Sequence, residues 1–189
     1  MKTVSALSLA LALSALCAPA LAHVNLADPK AAPGAYYVSA FRVGHGCGGS
    51  ATTALRIELP EAILAARPQP KAGWTIEIER APLSSPGVGE GGRMVTERIK
   101  AITWRGGPLP DDEFDAFGIM AKLPEAPGRL YFRAIQTCVS GEERWTDVPG
   151  SGAASHLAHP APMLDVSQGS GGDDMAGMDM SGMAPAPKP

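Results

Sequence analysis

The sequence predicts an all-β chain folded as an antiparallel β-sandwich. Short runs rich in β-branched and aromatic residues recur along it, Gly or Pro punctuates them, and helical periodicity is scarce. The first run, Tyr36-Tyr37-Val38-Ser39-Ala40-Phe41-Arg42-Val43, stops at Gly44. Ala54 to Leu59 stops at Pro60, and Trp74 to Arg80 starts after Gly73. Val95 to Trp104 precedes a Gly-Gly pair, Phe117 to Leu123 ends at Pro124, and Arg129 to Cys138 closes the series. Trp74 and Trp104 start or end strands and read as core. Glu61 to Ala66 has room for one helical turn, and the Gly-rich Ser84 to Gly92 reads as a long hairpin loop. Gly87-Val88-Gly89 does not stand between a strand and a helix, so a nucleotide-binding loop is not indicated.

The ends have a different character. Residues 1–22 combine Lys2, an apolar stretch from Val4 to Leu16 and the small-residue close Ala18-Pro19-Ala20-Leu21-Ala22, the pattern of a secretory signal. The stretch is short for a membrane span. Leu16 is too bulky before Cys17 for lipoprotein processing, so cleavage after Ala22 is expected, with His23 as the new N-terminus. The expected location is periplasmic or secreted, at the cell envelope, with membrane contact only through the signal before cleavage.

In the 189-residue chain, a net charge of −3 and 19% charged residues leave none of the basic excess that nucleic-acid binding needs. One modest domain, residues 23–150, is expected. Removal of the leader takes Cys17, leaving Cys47 and Cys138 as an isolated pair. In an oxidising compartment the simplest reading is a disulfide, a link that typically stabilises by about 2–4 kcal/mol. Two thiolate ligands are the competing reading, although the spacing is unlike a Cys-x-x-Cys knuckle.

From residue 151 to 189 the chain turns to Ser, Gly, Asp and Pro and is expected to be a flexible tail. It carries His156 and His159, then Met163, Met175, Met178, Met180 and Met183, five of the chain's eight Met. A tail without packing has no structural use for thioethers. They are soft ligands suited to Cu(I), and the two imidazoles suit Cu(II) as well.

A His at a free N-terminus offers its α-amine and ring Nδ1 to one ion. Both nitrogens can give up protons to a strongly bound metal near neutral pH. Cu(II) heads the divalent affinity order and favours tetragonal N and O donors.

The ordered series Ala22-His23-Val24, Tyr37-x-x-x-Phe41-Arg42-Val43-Gly44-His45-Gly46-Cys47, Thr52-Thr53, Leu59-Pro60-Glu61, Pro68-Gln69-Pro70-Lys71-x-Gly73-Trp74, Ile102-Thr103-Trp104-x-Gly106-Gly107, Glu113-Phe114-x-x-Phe117 and Gln136-x-Cys138-x-x-Gly141-x-x-x-Trp145 resembles the YcnI-like family of exported copper-binding domains. The resemblance covers residues 23 to about 150. It implies a sandwich of cupredoxin or fibronectin-III type holding one Cu(II) in a single-histidine brace. His23 matches the brace and Trp145 the Trp that lies against it. The implied acid falls among Asp111, Asp112, Glu113 and Asp115, and Glu113 is the choice. Gly48 and Ala51 stand where the family more often has an acid and a proline, a departure expected to alter the loop more than the metal site. His45 is placed either as a loop-holding residue or as an outer partner of the site.

The leading expectation is therefore a non-enzymatic copper chaperone or buffer, exchanging the ion with other copper-handling envelope proteins. The alternatives are a two-histidine brace of monooxygenase type using His23 and His45, and an interaction sandwich without a metal role.

Overall fold

The computed structural model describes residues 23–150 and 157–168. The expected signal, His156, Met175, Met178, Met180 and Met183 lie outside the described residues. Twelve strands run in chain order: β1 (Asn25–Leu26), β2 (Lys30–Ala31), β3 (Tyr36–Val43), β4 (Thr52–Glu58), β5 (Ala66–Pro68), β6 (Trp74–Val88), β7 (Met94–Leu109), β8 (Asp115–Lys122), β9 (Gly128–Tyr131), β10 (Arg133–Cys138), β11 (Glu142–Trp145) and β12 (Met163–Val166). Among the described residues there is no α-helix, only a 3-10 turn at Glu90–Gly92. The predicted all-β sandwich is what folds.

Three sheets form, ordered β1-β3-β8-β5, β11-β10-β4-β7-β6 and β2-β12-β9. Alternation decides their faces: in β3, Tyr37, Ser39, Phe41 and Val43 are buried while Tyr36, Val38 and Arg42 face out. The core between the sheets holds Phe41, Leu55, Ile57, Ile102, Trp104, Phe117 and Phe132, all fully buried. Trp104 meets Phe117 edge-on at 5.7 Å and Trp74 meets the same ring at 4.9 Å, an arrangement favoured by the ring quadrupoles. Trp104 is core as expected, and Trp74 packs against the core while half-buried.

Three differences from the sequence reading have physical causes. The run Arg129 to Cys138 is two strands, because the chain changes sheets at Phe132. Its side chain is buried and its N–H donates to Pro162 O at 2.8 Å, so β9 pairs with β12 while β10 pairs with β4. The segment Ser84 to Gly92 is not one long loop. β6 runs to Val88, pairing Gly87 with Val95 and Val88 with Met94 after a register shift beyond Pro82, so only the tip turns.

The third difference concerns the tail. Residues 157–168, expected within it, pack on the domain: β12 runs parallel to β2 and antiparallel to β9. Leu164 and Val166 bury fully, two residues apart on one face. Met163 is thereby half-buried in a strand rather than free as a tail ligand.

Cys47 and Cys138 form the expected disulfide, 91 residues apart in sequence with Cα atoms 6.0 Å apart. Cys47 also opens a tight turn, bridging to Ser50 through backbone bonds of 2.9 and 3.2 Å. Gly48 and Gly49 occupy its two central positions with φ of 57° and 89°. A turn with positive φ at both centres favours Gly there.

Candidate metal centre

His23 leads into β1, which lies against β3 through Asn25↔Arg42 and Leu26↔Phe41. Val24 and Leu26 are buried, so this short strand is anchored by its inward side chains and holds His23 at the rim of the sandwich. The His23 ring meets the indole of Trp145 nearly perpendicular, centroids 5.1 Å apart. Asn25 Nδ2 donates to the His23 carbonyl at 3.2 Å, while the ring nitrogens of His23 have no hydrogen-bond partner among the described residues. The half-exposed imidazole is thus held by its ring contact with Trp145 rather than by hydrogen bonds from its own nitrogens.

Trp145 ends β11, the edge strand of the five-stranded sheet, and is only 6% exposed. Its Nε1–H donates to Gln136 Oε1 at 3.4 Å. The Gln136 amide in turn donates 2.7 Å bonds to the His45 carbonyl and to Thr52 Oγ1. A buried polar chain thus runs from the indole to the loop that carries His45. Such a chain holds its members in one orientation, because a broken link leaves a buried group unpaired. The His45 ring turns its Nδ1 toward the Gly46 carbonyl of its own loop and makes no ring contact with His23. His45 therefore reaches the Trp145 neighbourhood through its backbone.

Asp111, Asp112 and Glu113 sit in the turn between β7 and β8, and Asp115 opens β8. Asp111 Oδ1 accepts from the Gly46 N–H at 3.0 Å, tying this turn to the His45 loop, and Asp115 pairs with Lys71 at 2.5 Å. Asp112 and Glu113 are exposed, and among the described residues no hydrogen bond or ion pair joins the Glu113 side chain to His23 or Trp145.

Two residues that the sequence reading did not put at the centre stand beside Trp145. His159 packs its ring on the indole with centroids 5.3 Å apart, so the indole carries an imidazole from each end of the domain. Glu143 lies two residues before Trp145 and directly opposite Gln136, hence on the same face, and its Oε2 is 3.8 Å from His159 Nδ1. Period-two spacing from Trp145 was a signal for Glu143. His159 could be placed only once the return of β12 was known. Among the described residues no three His, Cys, Asp or Glu side chains converge as a ready-made metal site. His23 would instead supply two donors from one residue once its amine is free.

A family model described as a domain of unknown function, DUF1775, matches residues 23–166. Among solved structures, the chain is similar to an uncharacterized protein from Nocardia farcinica whose crystal structure reveals an immunoglobulin-like fold. The TM-score is 0.60 at 29% identity, over 77% of this chain and 99% of that one. A putative membrane anchored protein from Corynebacterium diphtheriae is similar at TM-score 0.40 and 11% identity, over 75% of this chain and 32% of that one, a level that carries no inference. No curated protein matches.

Proposed function

The chain belongs to the DUF1775 family, which is the YcnI-like family, and from that premise we propose that it is an exported copper-binding protein, a chaperone or buffer of the cell envelope. The proposed ion is Cu(II), held by the amine and ring nitrogen of His23 after removal of residues 1–22, with an oxygen from the acid that the family resemblance implies, for which Glu113 is our choice among Asp111, Asp112, Glu113 and Asp115. One observation carries the reading: the His23 imidazole, whose ring nitrogens have no hydrogen-bond partner among the described residues, rests against a buried Trp fixed by Gln136. The family match begins at His23, in keeping with a mature chain that starts there. The disulfide supports an oxidising compartment, periplasmic or extracellular.

The residues fit the group by donor chemistry. An amine, an imidazole and a carboxylate form the N and O set that Cu(II) prefers. Bound there, Cu(II) would be cargo. Trp145 walls one side of the imidazole, and the Gln136 chain keeps that wall in place. Nothing in this reading calls for turnover, and we assign no catalysis. The thioethers of Met175, Met178, Met180 and Met183 are soft donors that would suit Cu(I).

The test is the free amine. The mature protein beginning at His23 should bind one equivalent of Cu(II) with a nitrogen-rich electron paramagnetic resonance spectrum. A variant with one Ala added ahead of His23 should lose most of that affinity. Equal affinity in the two proteins overturns the proposal.

A further inference from the structure

The pair beside the brace has chemistry of its own. His159 and Glu143 come from separate elements: Glu143 from the edge strand β11, and His159 from the segment leading into β12. The backbone makes their meeting specific. Asp147 N–H donates to the His159 carbonyl at 2.9 Å, the His159 N–H donates to Asp147 Oδ2 at 2.9 Å, and Ala161 N–H returns to the Asp147 carbonyl at 2.9 Å. These bonds clamp the returning segment alongside the end of β11, with a bridge between Asp147 and Pro160. The imidazole is held on one flank by the indole and faced on another by a carboxylate.

We propose that Glu143 and His159 form a second, weaker Cu(II) site, a landing position beside the tight one, an inference that rests on the reading of His23 as the tight site. An ion with ligands at about 2 Å on each side can bridge donors up to about 4 Å apart. The Nδ1 to Oε2 separation of 3.8 Å is inside that collinear limit, and rotation of two partly exposed side chains can shorten it to the closer spacing of adjacent ligands without moving the backbone. Imidazole plus carboxylate is again the N and O pairing that suits Cu(II). The two side chains are 49% and 34% exposed, so solvent can fill the remaining positions and the ion can leave readily. His23 is not part of the pair, since no three such side chains converge here among the described residues. Both imidazoles nevertheless lean on Trp145, so an ion released from one locus is within two ring contacts of the other.

The experiment titrates the full mature chain with Cu(II) alone, followed by paramagnetic resonance, which resolves two bound species. Wild type should take a tight equivalent and then a weaker one. Glu143→Gln and His159→Ala should each remove the weaker equivalent and leave the tight one, while His156→Ala should leave both. The variant with Ala ahead of His23 should show the converse, losing the tight species and keeping the weaker. Three results overturn the second site: a single equivalent in wild type, loss of the weaker species in His156→Ala instead, or a loosened tight species in Glu143→Gln. Absence of the tight species from wild type is the separate failure of the brace reading.

Discussion

The ring of His23 and the indole of Trp145 meet edge to face at 5.1 Å, joining the first residue of the domain to the last residue of an edge strand. This contact makes Trp145 a reporter of whatever His23 binds. Addition of one equivalent of Cu(II) is expected to quench Trp145 emission, since a paramagnetic ion on His23 lies next to that ring. Trp145→Phe should keep the bound ion in paramagnetic resonance but lose most of the quenching. Equal quenching in both proteins would put the ion near Trp74 or Trp104 instead.

Glu113 is our choice for the acid that the family resemblance implies, and it stands exposed in the turn before β8. Glu113→Gln is expected to weaken the first Cu(II) equivalent by at least the roughly tenfold that loss of an outer partner costs. Unchanged affinity in a competition titration shows that the oxygen comes from elsewhere.

The disulfide closes a loop of 91 residues and flanks the buried Gln136, with Thr52 Oγ1 bonded to Gln136 and 3.9 Å from the Cys138 sulfur. Replacing both cysteines with Ser is expected to cost about 2–5 kcal/mol in urea unfolding. It should also loosen the His45 turn, read as faster amide exchange at Gly46.

Leu164 is fully buried in β12. Leu164→Ala is expected to destabilise the domain by about 2–5 kcal/mol, the range for core Leu truncation. An effect below about 0.5 kcal/mol, typical of a surface position, would mean that this segment does not fold onto the domain.

Burial pushes the Tyr37 phenol above its ordinary value; the Asp28 carboxylate adds to the rise and the Ser39 hydroxyl opposes it. Its hydroxyl donates to the Asp28 carbonyl at 2.5 Å, a bond the phenolate cannot make. A raised folded-state value means that this stabilisation is complete below the usual tyrosine range near 10 and is lost as pH rises through the folded value. Tyr37→Phe should cost about 1 kcal/mol at neutral pH and flatten the fall in stability on the alkaline side.

What the sequence displayed depended on how many residues shared one signal. β3 was visible end to end because eight residues alternate, and the Cys47 to Cys138 pairing followed from there being two candidates. β1, β2 and β5 have two or three residues each, too few for a period to show, and are defined by the partners they lie against. Leu164 and Val166 carried a two-residue period, but the Ser, Gly, His and Met around them spoke for a tail. At the candidate site, the motif series singled out His23 and Trp145, whose rings the fold does bring together. His159 was legible only as a copper-tail residue, because its place beside the indole depends on a chain reversal that no local pattern encodes.

β6 borders the five-stranded sheet with an unpaired flank, and most of its residues are exposed. Left plain, such a margin invites a second molecule to zip along it. Pro82 and Pro86 withhold amide protons there, while Glu77, Glu79 and Arg80 place charges beside Ile78. Substituting those two prolines and three charges is therefore expected to make edge-to-edge clumping easier, read as added light scattering on concentration.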